Sequence, residues 1–83
     1  MDESEIKTQL SQRYALKWAE RIGRGVRMDF YVGESEYGGE PRILLMTVNP
    51  NTGFVGGIYA LTLPVARELC RVLGEKYGAE RAG

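Results

Sequence analysis

Residues 47–57 read TVNPNTGFVGG, and this stretch decides the fold because it ends one strand, reverses the chain and starts the next. Pro50 occupies a favoured early position of a turn, and Gly53 supplies the positive φ that a tight reversal requires. Residues 42–48 (RILLMTV) are apolar on both alternations, as in a central strand that is covered on both faces. The stretch therefore predicts a hairpin of two antiparallel strands.

The strand after the turn is expected to run to about residue 61, with Gly56 and Gly57 in its interior. Glycines inside a strand favour either a β-bulge, which is the simpler reading, or the close approach of another backbone. Upstream, Val26, Met28, Phe30 and Val32 alternate with more polar residues, which is typical of a strand with one buried face. These segments predict a curved antiparallel sheet of three to four strands over about residues 26–61.

A helix is predicted before the sheet, over about residues 4–22. This segment contains neither Gly nor Pro, and its apolar side chains share one face at a spacing of about 100° per residue. Arg13, Lys17 and Arg21 follow one another at i, i+4 along the border of that face. We expect their aliphatic stems to lie beside the apolar residues and their charged groups to form a basic ridge.

A second helix is predicted over about residues 63–77, since Thr62 is a good N-cap and Pro64 suits a first helical turn. The apolar residues of this helix cover an arc of roughly 160°, which is wide for contact with one sheet. One edge of the arc can pack on the sheet and the other on the same helix of a second copy, with Leu69 and Leu73 at the dimer interface. Alternatively, the N-terminal helix covers the excess.

The chain has 83 residues, of which 43% are hydrophobic and 27% charged, and this composition fits one domain over residues 1–83. A core of this size is only marginally adequate, so a homodimer is a natural source of further burial. The longest apolar run, residues 43–46, is too short to span a bilayer, and no secretory leader opens the chain. We therefore expect a soluble cytoplasmic protein with no membrane partner.

Few residues are suited to catalysis or metal binding. The chain contains no histidine, and its one cysteine, Cys70, can form neither an internal disulfide nor a zinc site by itself. Neither of the common glycine-rich phosphate motifs occurs, and the neighbouring acids Glu34 and Glu36 are most simply solvated beside a glycine turn. The sequence therefore predicts a protein that is not an enzyme and that has no metal and no cofactor.

Charge is unevenly distributed although the net charge is zero. Residues 7–27 contain six basic residues against one acidic residue, hence +5, which predicts one basic face. An ordinary solvated helix, with charges ordered by the helix dipole, is an equally good reading. Arginines and aromatic rings on a curved sheet hold single strands by phosphate contact and base stacking. The candidate nucleic-acid contacts are Arg24, Arg27, Arg42, Tyr31, Phe54 and Tyr59.

Residues 40–73 (EPRILLMTVNPNTGFVGGIYALTLPVARELCRVL) resemble the small transcriptional coactivators called positive cofactor four and their bacterial relatives. The resemblance rests on a strand, an Asn-Pro turn, a strand with glycines, and Leu61-Thr62 before a helix with spaced leucines. It implies a homodimer whose helices pack together while its curved sheets bind single-stranded DNA, in transcription or replication. It also places Leu69 and Leu73 in the dimer helix.

Two alternatives remain at this stage. The order helix, three strands, helix is also similar to a double-stranded-RNA-binding domain, but residues 62–64 (TLP) stand where that family requires a lysine cluster. The second alternative, of another class, is a protein-interaction module or small inhibitor that binds an acidic partner surface. In either case the sequence predicts an α+β domain with a three- to four-stranded antiparallel sheet between an N-terminal and a C-terminal helix.

Overall fold

A computed structural model describes residues 1–78, in which two helices flank a sheet of four strands. All neighbouring strands are antiparallel, in the order β1-β2-β3-β4. The prediction of an α+β fold is confirmed, with four strands. The elements are α1 (Glu3–Tyr14), β1 (Trp18–Arg24), β2 (Asp29–Tyr37), β3 (Glu40–Val48), β4 (Val55–Thr62) and α2 (Leu63–Leu73), followed by one π-helical turn (Gly74–Gly78).

Helix α1 begins with a capping box. The Asp2 carboxylate accepts a hydrogen bond from the Glu5 amide at 2.8 Å, and Glu5 Oε1 accepts one from the Asp2 amide at 3.2 Å. These bonds satisfy two of the amides that a helix leaves unpaired at its start. The helix ends where Ala15 adopts a left-handed conformation with φ of 52°.

The predicted helix over residues 4–22 is therefore wrong in its second half. Trp18–Arg24 forms the edge strand β1, which pairs with β2 and satisfies backbone groups that β2 would otherwise expose. The basic ridge does not exist as predicted, because its three members lie on different elements. Arg13 lies on α1, Lys17 in the connection that follows it, and Arg21 on β1.

The main core lies between α1 and one face of the sheet, which we call the α1 face. Ile6 and Leu10 of α1 are buried against a row of side chains from the two central strands. The register places these side chains on one face. Tyr31 lies opposite Met46, and Leu44 and Val48 lie two positions before and after Met46 on β3. The buried strand residues in this core are Tyr31, Leu44, Met46 and Val48.

Helix α2 lies on the opposite face of the sheet, which we call the α2 face. The helix faces Trp18 and the central strands through Leu63, Ala66 and Cys70. An open space of about 380 Å³ lies between helix and sheet. The two helices are thus separated by the sheet. The alternative in which the N-terminal helix covers the apolar excess of α2 is wrong.

The turn over residues 49–54 forms as predicted. The Gly53 amide donates to the Asn49 carbonyl at 2.8 Å, and the Asn49 amide donates to the Phe54 carbonyl at the same distance. Gly53 has φ of +78°, which a residue with a side chain rarely adopts. On β4 the register shifts, so that Gly57 lies opposite Thr47 and Val55 opposite Val48. This shift confirms the β-bulge among the strand glycines.

Within residues 1–78, no helix combines the length and the apolar character that crossing a membrane requires.

Among residues 1–78, one carboxylate is buried. Asp29 begins β2 on the α1 face and is 5% exposed. Its Oδ2 accepts a hydrogen bond from Arg21 Nε at 3.0 Å, whereas Oδ1 has no hydrogen-bond partner within residues 1–78 and lies 3.8 Å from Arg24 Nε. The charge of Asp29 is therefore balanced by two arginines of the neighbouring strand.

We predict that Arg21→Ala lowers the free energy of unfolding by about 1–3 kcal/mol, because a buried acceptor loses its donor. Urea denaturation measures this change. Arg13→Ala is the matched control, since Arg13 lies exposed on α1 and forms no ion pair within residues 1–78, and it should change stability by less than about 0.5 kcal/mol. Equal effects of the two substitutions would contradict the assignment.

Candidate nucleic-acid interface

Two connections meet at one end of the sheet. The β1–β2 turn over residues 25–28 is closed by a hydrogen bond from the Gly25 amide to the Met28 carbonyl at 2.7 Å. The β3–β4 turn lies at the same end, because Asp29 pairs with Val48 and Val48 pairs with Val55. The turns are close enough that a Cβ added at Gly56 would lie 2.7 Å from the Met28 side chain.

The α2 face carries aromatic side chains at this end. Phe30, Thr47 and Gly57 form one cross-strand row, and Leu45 and Tyr59 belong to the next row. Because Gly57 has no side chain, the backbone of β4 is accessible beside Phe30 and Tyr59. A depression of about 400 Å³ lies beside this row, lined by Gly25, Val26, Arg27, Met28, Phe30 and Thr47. We call the two cross-strand rows and the lining of this depression, together with Phe54 of the β3–β4 turn, the turn-end surface.

Two aromatic side chains of the turn-end surface are open to solvent, with Phe54 66% and Tyr59 65% exposed. Arg27 is also exposed and forms no ion pair within residues 1–78. Such a combination of unpaired guanidinium and exposed rings suits phosphate contact and base stacking.

The acidic residues of the α2 face lie away from the turn-end surface. Glu34 and Glu36 belong to the other end of β2, where Lys17 Nζ lies 3.8 Å and 3.1 Å from their respective Oε2 atoms. Glu20 lies on the edge strand β1 and accepts a hydrogen bond from Lys7 at 3.3 Å. These ion pairs reduce the repulsion that an approaching phosphate would meet.

The structure brings only part of the predicted contact set together. Arg27, Phe54 and Tyr59 lie on the turn-end surface, and Arg24 lies at the same end of the sheet, 3.8 Å from the buried Asp29 carboxylate. The cation of Arg24 is therefore partly balanced inside the protein. Its remaining exposed surface can still face a ligand that reaches the end of β1.

Tyr31 and Arg42 do not belong to this surface. Tyr31 is fully buried beneath α1, so its assignment as a base-stacking residue is wrong. Arg42 lies on the α1 face near the opposite end of β3, opposite Ser35 and Thr62. A single strand on the turn-end surface therefore does not contact Arg42.

Phe30 and Met28 line the depression of the turn-end surface, and the sequence did not predict them as candidate contacts. The alternation of Val26, Met28, Phe30 and Val32 with more polar residues predicts that these four form the buried face of their strand. In the structure the other alternation, with Asp29 and Tyr31, is the buried one. Large side chains occur on both faces of β2, for example Tyr31 on one and Phe30 on the other. This pattern was the available signal that either face could be covered.

Helix α2 has a second surface of interest, because none of its residues is buried. One edge of its apolar arc faces the sheet through Leu63, Ala66 and Cys70. The other edge carries exposed apolar side chains, and we call it the α2 stripe. The α2 stripe consists of Val65, Leu69, Val72 and Leu73.

No protein-family model, curated protein or solved structure matches this chain. Among residues 1–78, no group of three or more acidic or cysteine side chains is placed to hold a metal ion.

Tyr31 offers a test of the core assignment. Burial raises the pKa of its hydroxyl, and the nearby carboxylates of Glu3 and Asp29 raise the pKa further, against the lowering effect of Arg21. The fold therefore favours the neutral phenol. This contribution to stability is complete below the unfolded pKa of about 10 and is lost as the pH rises through the higher folded pKa.

We predict that an ultraviolet titration of the folded protein shows a last ionisation step above the ordinary tyrosine pKa of about 10, and that Tyr31→Phe removes this last step. Tyr37, 76% exposed, provides the control, because Tyr37→Phe lies outside the core and should leave the last step in place. Loss of the last step from the Tyr37 variant would place the wrong tyrosine in the core.

Proposed function

We propose that this protein is a non-enzymatic, homodimeric protein that binds single-stranded nucleic acid, most simply single-stranded DNA, on the turn-end surface. The observation that carries the proposal is the position of Arg27, which forms no ion pair within residues 1–78, at the end of the sheet that also carries the exposed rings of Phe54 and Tyr59 and has no strand carboxylate on this face. Single strands present both groups that such a surface recognises, since their phosphates and the faces of their bases are accessible together.

The α2 stripe supports the dimer. Four half-exposed Val and Leu side chains in adjacent turns remain in contact with water in one copy of the chain. Burial of such side chains is favourable in proportion to the apolar area removed from water. A two-fold axis next to α2 would bring the same stripe of two copies together. The resemblance of residues 40–73 to the positive cofactor four family favours the same arrangement.

A dimer would present two turn-end surfaces to one strand. Binding at the second surface is then intramolecular, which raises the overall affinity without any new contact. Each surface alone should bind weakly, because most arginines and lysines of the chain are engaged with internal carboxylates. We expect binding to an oligothymidine no tighter than micromolar at physiological salt.

We predict that Arg27→Gln and Tyr59→Ala weaken oligothymidine binding in different ways. Loss of Arg27 should reduce the slope of log affinity against log salt by about 0.7 for each phosphate contact removed. Loss of Tyr59 should cost about 1–3 kcal/mol for each stacked base and leave the slope nearly unchanged, because stacking releases few ions. Fluorescence anisotropy over a salt series measures both quantities, and Phe54→Ala should behave like Tyr59→Ala.

Tyr37→Ala is the matched aromatic control for these variants. Tyr37 is an exposed tyrosine at the opposite end of the sheet, so its loss should leave the affinity and the slope unchanged. If Tyr37→Ala weakens binding as much as Tyr59→Ala, the binding surface lies elsewhere. If no oligonucleotide binds even at low salt, the nucleic-acid proposal is wrong.

We predict that Leu69→Glu or Leu73→Glu raises the dimer dissociation constant by at least about 100-fold, because each places a charge in an apolar interface. Sedimentation velocity across a concentration series measures the change. Arg71→Gln is the control on the same helix, since Arg71 lies on the polar side and forms ion pairs with Glu68 and Glu75 there. An unmodified chain that stays monomeric at high micromolar concentration would contradict the dimer.

The α2 stripe also favours a second candidate function, a protein-interaction module. In that case the stripe packs against a different protein, and the acidic partner expected from the sequence would meet the few cations that are not paired internally. Monomeric behaviour together with an absence of oligonucleotide binding would favour this candidate over the first.

A further inference from the structure

A cavity of about 420 Å³ opens on the α1 face, at the end of the sheet opposite the turn-end surface. It exists because α1 ends at Tyr14, whereas β2 continues to Tyr37 and β3 begins at Glu40. The 12-residue helix spans about 18 Å, and a strand of nine residues spans about 30 Å, so the sheet extends beyond the helix. The part of the sheet that α1 does not reach forms the floor.

The cavity is apolar apart from one side. Leu44 and Ala60 form its floor, and the aromatic side chains of Tyr14 and Tyr37 contribute to its walls. Ala60 is a small residue on β4, opposite Leu44, so no side chain of β4 fills the space. A volume of this size, lined mainly by apolar and aromatic groups, is within the range of small-molecule sites.

Arg42 is the cation in the lining of the cavity. Its side chain is 25% exposed, and Nη1 lies 3.4 Å from Glu40 Oε2 and 3.3 Å from the Pro41 carbonyl. All the hydrogen bonds that this guanidinium makes within residues 1–78 come from Nη1. Its Nε and Nη2 groups make no hydrogen bond within residues 1–78, and together they have the fork geometry that a carboxylate matches.

Two other polar groups of the lining are already engaged. The Ser35 hydroxyl donates to the Tyr14 carbonyl at 2.9 Å. Glu36 is balanced by Lys17, whose Nζ lies 3.1 Å from Glu36 Oε2. The cavity thus offers an apolar body and one guanidinium as its main recognition group.

We propose that this cavity is a binding site for a small aromatic carboxylate. The ring would lie on Leu44 and Ala60 between the two tyrosines, and the carboxylate would accept hydrogen bonds from Arg42. The site is separate from the turn-end surface in both face and end of the sheet. It does not depend on nucleic-acid binding, and each can fail without the other.

The test uses 2-naphthoate as the probe and amide chemical shifts of the ¹⁵N-labelled full chain as the readout. We expect saturable shifts at Ser35, Tyr37 and Ala60, with a dissociation constant of about 0.1–1 mM for a ligand of this size. The neutral analogue 2-naphthamide should bind at least about tenfold more weakly, because the charge-assisted hydrogen bonds to Arg42 are weakened.

Three variants complete the design. Arg42→Gln should weaken 2-naphthoate by at least about tenfold and bring it close to 2-naphthamide. Ala60→Leu should abolish binding by filling the cavity while the spectrum stays that of the folded protein. Arg27→Gln, which alters the turn-end surface, should leave 2-naphthoate binding unchanged. Three results would overturn the proposal: equal affinity for the acid and the amide, shifts confined to the α2 face, or no shift at about 5 mM probe. This concentration is roughly five times the weakest expected dissociation constant.

Discussion

The packing of Ile6 and Leu10 against the sheet is the interaction on which the rest of the structure depends. It buries Tyr31 and Met46 completely and so decides which alternation of the central strands faces inward. Because side chains of a strand alternate between faces, this choice also places Phe30 on the opposite face. One helix–sheet contact thus creates a closed core on one side and leaves a partly covered apolar face on the other, where α2 lies.

Local chemistry determined the parts of the fold that the sequence predicted well. The hairpin turn depends on Gly53 and its neighbours, and the bulge depends on glycines inside β4, so both can be recognised within a few residues. The start of α2 at Leu63 is similarly local, with Pro64 in its first turn. The strand Trp18–Arg24 has no such signal. It is a strand because β2 offers it a pairing edge, and this tertiary effect overrides a helical pattern.

The same distinction explains the candidate site. Phe54 and Tyr59 could be predicted as exposed because Phe54 ends a turn and Tyr59 lies on the strand that follows, which is an edge strand. Tyr31 could not be assigned correctly, since β2 has large side chains on both faces. Only the packing of α1 decides which face is buried. The basic ridge was wrong for another reason. Its spacing of four residues has meaning only on a continuous helix, and that helix ends before Lys17.

Internal ion pairs change what the basic segment can do. A formal excess of positive charge over residues 7–27 does not produce an equally basic surface, because Lys7, Lys17 and Arg21 each lie within 4.0 Å of carboxylate oxygens from other elements. These contacts tie α1 and the β1 edge to the sheet, so most of the charge serves the fold. The few remaining cations can orient a polyanion, but they cannot hold it tightly through charge alone. For a ligand on the turn-end surface, the exposed rings must then supply most of the binding free energy. Shape and stacking therefore contribute more to the affinity than the salt-dependent contacts with phosphate do.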